Sequence, residues 1–482
     1  MDEYARMDTA KPLKLITIFS IPAIFAMVFE SLAIVIDMAF IGHIPRNGTP
    51  ALSAMGLMNP IFLFLGALQI LTAVSASILV AKYWGQQQKD EVYAVIAHGI
   101  YLTCLINVAI MFLIFMFRIP LLKYLGASGQ VLFLANQYVS IYVFSQIFGA
   151  LGFLFISIIR ASGYPRVEIV VVVLATISNL LLDALFIVGF QWGISGAAWA
   201  TLLADGFYFL LSLRYILQKK LLRLPFMDGK PGRRRDITLR LLQIGFVPFF
   251  MQVLISVSNL LTNRMLLIYG SALSVAIMAV ILNIFLTLIM PLFGLGQGIQ
   301  PLFAYFYGAQ QNHKMLSILK TSLILSILYG LLIYLTVFFF GKQLAGIFSA
   351  DQSLTALIHD GLKIYFLSFF PGAGYLFCYQ CLLSIYWQRN NSTGYKFDAA
   401  GNTFYTTFAA ASFIVDTFES GYSSSGNRDF SGSTPGRFYY ADTGGHGMEA
   451  LLWWQTAADG TVKKYHAWIE IISKIITPVF RI

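Results

Sequence analysis

The sequence predicts an all-α polytopic membrane protein, built as two six-helix lobes related by a parallel repeat, with the C-terminal lobe incomplete. Three observations predict it. Apolar residues make up 58% of the 482 and charged residues only 11%, too little polar surface for a water-soluble chain of this size. Apolar runs long enough for a helix to cross a bilayer recur from residue 14 to about residue 387. The second part of that region also repeats the first.

In chain order the expected spans are 14–42, 51–82, 92–117, 132–159, 167–190, 193–218, 238–268, 272–303, 315–341 and 357–387. Helices are favoured over barrel strands because the runs are long and show no strict alternation. The opening MDEYARMDTAKPLK is short and polar, and the first apolar run is too long for the core of a cleavable signal peptide. Between the sixth and seventh spans lies KKLLRLPFMDGKPGRRRD, the longest polar connection, whose Gly and Pro mark a linker. The expected organisation is an N-lobe over 1–222, a basic cytoplasmic linker over 223–237, a C-lobe over 238–387 and an aberrant polar tail over 388–482.

The net charge of +10 follows topology and is no sign of a nucleic-acid partner. With the N-terminus inside, 18 Lys and Arg fall in inner connections, Arg160 among them, against five in outer ones. This positive-inside bias puts the N-terminus in the cytoplasm and the basic linker beside anionic headgroups. The three cysteines sit in apolar spans, and Cys378 and Cys381 have no His or Cys nearby, so helix packing accounts for them.

The repeat is visible in three places. IFSIPAIFAMVFESLAIVIDMAFIG parallels IGFVPFFMQVLISVSNLLTNRMLLI, with Pro22 over Pro248 and Asp37 over Asn263. ILVAKYWGQQQ matches PLFAYFYGAQQ, and SIYVFSQIFGALGFLF matches KIYFLSFFPGAGYLF, with Tyr142 over Tyr365. The offset stays at 221–226 throughout, so six helices form the repeated unit and orientation is preserved. Such a duplication is the usual sign of a secondary transporter with a path between two bundles.

Twelve helices are therefore expected, yet only ten spans precede the Gly- and Ser-rich tail. A one-base shift of reading frame lets every Thr or Ala codon of 402–418 become a Leu codon, restoring an apolar helix there. The codon of Trp387 then yields Gly, and that of Met448 yields Trp. The tail is read as out of frame, so its sequon Asn391-Ser392-Thr393 and the amphipathic ending HAWIEIISKIITPVFRI carry no selected meaning.

Ionisable groups at mid-membrane cost about 2.5–3.5 kcal/mol each, so they tend to face a cavity or a partner. Glu30 and Asp37 lie two turns apart on one face of the first span, Asn179 and Asp183 one turn apart in the fifth, and Thr201 and Asp205 one turn apart in the sixth. Arg264 is the cation of the seventh span. Two or three carboxylates with an amide and a hydroxyl make an oxygen cage for a small hard cation, or a proton site. Plain readings compete: water-exposed helix ends for Asp37 and Asp205, interhelical hydrogen bonds for Asn179 and Thr201, snorkelling for Arg264.

Residues 12–387 resemble the multidrug and toxic compound extrusion (MATE) family. The likeness rests on Pro22 with VIDMAFIGH, VAKYWGQQQ, IIRASGYPR, ISNLLLD, GISGAAWAT and GLGQGIQPLFAYFYGA together. It implies twelve helices in two lobes, a bend of the first helix at Pro22, and antiport of amphipathic organic cations against sodium ions or protons. It implies a coupling site on Asp37, Asn179, Asp183 and Thr201. If the ion is sodium, Asp37, Asn179 and Asp183 are its ligands. No other cofactor is implied. Glu30, Asp205, Met290 and Phe293 are the further candidates for the substrate path. A monomer in the bacterial inner membrane is expected, its partners being the lipid bilayer and a small amphipathic cation.

Rival readings are a lipid-linked saccharide flippase, an intramembrane aspartyl protease on Asp37 and Asp183, and a non-functional truncated membrane protein. The flippase wants a cationic cavity where this chain places acids. The protease wants G-x-G-D and Tyr-Asp patterns, and neither surrounds these residues. Transport without enzymatic activity is therefore the expectation. Lacking the last two helices, the chain as written is expected to insert poorly or to be inactive.

Overall fold

The computed structural model describes residues 11–45, 47–222, 236–254, 272–346, 355–363 and 366. Among them the chain is helical. The elements are α1 (Pro12–Gly42), α2 (Gly48–Gly85), α3 (Lys89–Tyr124), α4 (Gly129–Ala161), α5 (Pro165–Asp183), α6 (Ile194–Gln218), α7 (Asp236–Leu254), α8 (Ala272–Gly308) and α9 (Asn312–Gly346). A short helix over 355–363 follows. All nine named helices, counting a turn that extends α5, are long and apolar enough to cross a membrane. Their outward faces are greasy: Phe112, Met116 and Leu332 are about 60% exposed, which suits contact with lipid chains rather than water.

Some helices outrun the apolar runs, as at Lys89–Tyr124 against the expected 92–117, while α1 and α6 end at Gly42 and Gln218 as expected. Polar residues at a membrane surface can extend a helix that hydropathy alone would stop. α1 continues as one helix through Pro22, so the bend implied there is not a break. Residues 364–365 and 367–387 of the tenth expected span, the tail over 388–482, and Arg264 and Asn263 lie outside the described residues.

The repeat reappears in backbone geometry. α2 and α8 both end on a glycine with a left-handed glutamine two residues on: Gln87 has φ 59° and Gln310 φ 58°. Each end is closed by the same wrap-around bond, Gln88 N–H donating to the Tyr83 carbonyl at 2.9 Å and Gln311 N–H to the Phe306 carbonyl at 3.0 Å. Two stretches alike in sequence thus make the same helix stop.

Within the N-lobe α4 is central, packing chiefly on α6, α2 and α3, while α1 packs on α5. Across the lobes α8 lies against both α1 and α2. Small residues make that seam close. A Cβ on Gly294 would stand 2.5 Å from the Ile24 Cα, and one on Gly298 2.6 Å from the Ser20 Cα. Ser20 adds a hydroxyl donated to the Leu295 carbonyl at 3.4 Å. This is the small-residue packing that lets backbones approach inside a membrane.

Candidate functional site

The site begins with the way α5 ends. After Asp183 the helix widens into a π turn, Ala184–Gly189, before a tight return into α6. Gly193 makes that return at φ 59°, ψ −141°, a conformation open essentially to glycine alone. Gly196 then lets α6 press on the turn, for a Cβ there would meet the Phe186 carbonyl at 3.0 Å. GISGAAWAT is therefore the return that lays the first turns of α6 against the π turn that follows Asp183. π turns cluster at functional sites, and hydropathy carries no signal for this one.

Asp37 from α1 and Asp183 from α5 meet there, their carboxyl groups within hydrogen-bonding reach of each other. Asp183 is 1% exposed. Both its oxygens, and Oδ1 of Asp37, are buried without a donor from the rest of the protein. Two carboxyls can bond each other only through a shared proton, and two carboxylates can sit so close only around a cation. Thr201 donates to the Ala197 carbonyl at 3.0 Å and also bonds the hydroxyl of Tyr138, whose ring lies in the field of both aspartates. Asn179 is half-buried one turn from Asp183. Tyr138 was not among the residues picked out from sequence. Its only sequence signal is a hydroxyl nine residues into α4, hidden among aromatics.

One turn deeper, Asp205 lies within hydrogen-bonding reach of Ser145 and in the field of Asp37 and Glu30. Glycines admit it: a Cβ on Gly149 would come 3.2 Å from Asp205 Oδ2, and one on Gly152 would collide with the Tyr208 ring. Tyr208 in turn feels Glu30, Asp205, Arg160 and Glu168. Glu30 is accessible, although protein surrounds it closely, as for a residue lining a cleft. Met290 is half-buried, and Phe293 packs against the main apolar cluster. The structure thus joins Asp37 to Asp183, links Thr201 to them through Tyr138, sets Asp205 and Glu30 along the same polar seam, and leaves Met290 and Phe293 on α8.

Arg160 corrects the charge count. Assigned above to an inner connection, it is buried at the end of α4, paired with Glu168 of α5 and donating to Gln297 Oε1 of α8 at 3.3 Å. Among the described residues no three His, Cys, Asp or Glu side chains gather as a metal site. A sodium ion at Asp37 and Asp183 would therefore complete its shell with neutral oxygens: the Asn179 amide and the Thr201 or Tyr138 hydroxyl. All are hard donors suited to a hard ion.

A family model described as MatE matches residues 22–185 and 248–389, one segment in each lobe. The chain belongs to the MatE family. This MATE chain is similar to the multidrug export protein MepA of Staphylococcus saprophyticus, 24% identical over 361 residues, which are 74% of the chain and 79% of that protein. It is also similar to the probable multidrug resistance protein YoeA of Bacillus subtilis, 22% identical over 72% of the chain and 76% of that protein. Among solved structures, a MOP superfamily transporter from Pyrococcus furiosus superposes with a TM-score of 0.73 at 21% identity, covering 78% of this chain and 83% of the other. The Vibrio cholerae MATE transporter VcmN, in a mutant form, gives 0.72 at 19%, covering 84% and 86%. The likeness to these structures extends the MATE fold over most of the chain.

Proposed function

We propose that this MATE transporter exports amphipathic organic cations, drugs and dyes among them, in exchange for a sodium ion or a proton held at Asp37, Asn179, Asp183 and Thr201. The observation that carries the reading is the meeting of the Asp37 and Asp183 carboxyls, one from α1 and one from α5, with no donor from the protein. Such a pair is stable only with a guest. Ion and cargo compete for it, and exchange follows because each favours a different state of the transporter. The membrane potential adds about 2.3 kcal/mol per charge per 100 mV to the gradient. Glu30 and Asp205 continue the acidic seam inwards and attract the cargo's charge, while Met290 and Phe293 belong to the opposing lobe. The names of the similar staphylococcal and Bacillus proteins support drug export. The cell that uses it is bacterial, with the transporter in the inner membrane and the N-terminus cytoplasmic.

Paired aspartates also serve aspartyl proteases, but the match to the MatE family favours transport over that reading. The saccharide flippase remains a weaker fit, because the seam is acidic.

The test is ethidium efflux from cells carrying a frame-corrected gene, with Asp37→Asn and Asp183→Asn beside the parent. Loss of sodium- or pH-dependent efflux in both variants supports the site. Gradient-dependent efflux that persists unchanged in both would remove it. The chain as written is proposed to be inactive, so it serves as the negative control.

A further inference from the structure

A second polar site lies far from the aspartates, where α2 ends and α3 and α7 begin. A crevice of about 350 Å³ opens there, lined by Lys82, Tyr83, Gln86, Glu91, Asp236 and Arg240 among others. α2 and α3 belong to one lobe and α7 to the other, so the crevice spans the seam. Lys82 and Arg240 both line it and stand close enough to repel each other. The Arg240 guanidinium meets Asp236 at 2.9 Å with one terminal nitrogen and the Tyr83 hydroxyl at 3.4 Å with the other. The Lys82 ammonium lies 5.6 Å from the Tyr307 ring centroid.

Each charge also has a local role, Lys82 at the C-terminus of α2 and Glu91 in the first turn of α3, where each suits its helix dipole. That explains the charges singly. It does not explain why two cations and two carboxylates from three helices face one cavity. Their sum is zero, so a simple anion would gain little net attraction. A zwitterion bearing a phosphate and a primary ammonium satisfies both signs at once: phosphate on Lys82 and Arg240, ammonium on Glu91 and Asp236. The crevice lies at the ends of membrane-length helices, at headgroup depth.

We propose that this crevice binds the phosphoethanolamine headgroup of a membrane lipid and that the lipid ties the lobes together on the basic side. A choline headgroup has no N–H to give the carboxylates, so it binds worse. Binding to the folded state alone raises thermal stability.

The experiment uses the full purified chain in detergent with equal mole fractions of phosphatidylethanolamine, phosphatidylcholine or phosphatidylglycerol, and reads the unfolding midpoint. Phosphatidylethanolamine is expected to raise the midpoint by several degrees over phosphatidylcholine. That increment should vanish in Lys82→Gln and in Glu91→Gln, while the midpoint of each in phosphatidylcholine stays near the parent's and shows that it folds. Equal midpoints in the ethanolamine and choline lipids would overturn the proposal. So would a phosphatidylglycerol effect as large as that of phosphatidylethanolamine, erasure of the increment by inorganic phosphate alone, or an increment surviving in both variants.

Discussion

Gly85 of α2 and Gly308 of α8 hold equivalent places in the two halves of the repeat, and each presses its helix onto the other's backbone. A Cβ on Gly85 would fall 2.9 Å from the Ala309 nitrogen, and one on Gly308 would collide with the Lys82 carbonyl. The lobes are therefore shut at this end, with no side chain between the helices. Overpacking costs about 1–3 kcal/mol, so Gly85→Val or Gly308→Val is expected to depopulate the shut state by about 5- to 160-fold. Spin labels at Gln87 and Gln310 should report a longer, broader distance in either variant. An unchanged distance would show that the contact does not set the closure.

Tyr138 offers a finer probe of the coupling site. Its hydroxyl bonds Thr201, and its ring stacks on Tyr142 at 5.5 Å. Tyr138→Phe keeps the stacking and removes only the hydroxyl, at a cost of about 1–3 kcal/mol if a buried polar partner is left unmet. Efflux should survive with the concentration of coupling ion for half-maximal rate shifted upward by roughly tenfold or more. No shift would place Tyr138 outside the site.

Gly149 and Gly152 form the notch that admits Asp205 and Tyr208. Gly152→Leu must displace the Tyr208 ring, and a loss of about 1–3 kcal/mol is expected, visible as a lower unfolding midpoint. Gly149→Ala leaves the carboxylate 3.2 Å away and should be milder. The reverse order of severity would contradict this packing.

The pair of Arg160 and Glu168 is buried from both sides. Removing one partner, as in Glu168→Leu, strands a charge and is expected to cost about 3–5 kcal/mol. Removing both, as Arg160→Met with Glu168→Leu, should recover most of that loss. Expression level and unfolding midpoint of the three variants check the pattern. A double variant no better than the single one would point to Gln297 as the essential partner.

The tail prediction needs only the gene. An open shifted frame from about codon 388, reading as two apolar helices, is expected. A stop codon in that frame before codon 447 would dismiss it.

Some of this was legible before any coordinates. The apolar runs announced the spans, since bilayer thickness sets a length that a linear chain displays. Asp37, Asn179, Asp183, Thr201 and Asp205 stood out because a charge or amide in such a run has a known cost. Arg160 was misread for a related reason: at a span's end, a buried pair and a solvated loop charge look alike. Tyr138 was missed because a tyrosine in an apolar helix is unremarkable until its hydroxyl has a partner.

What the sequence determined by itself was local: helix lengths, the repeat, the acidic residues and their spacing along each helix. Those follow from hydropathy and the 3.6-residue turn, both properties of neighbours in the chain. Only the tertiary structure decided that Asp37 faces Asp183 and that Tyr138 touches Thr201. It alone seated Glu168 on Arg160 and brought Lys82 to Arg240. These contacts depend on helix rotation and on how closely glycines let backbones approach, which residues distant in sequence settle together.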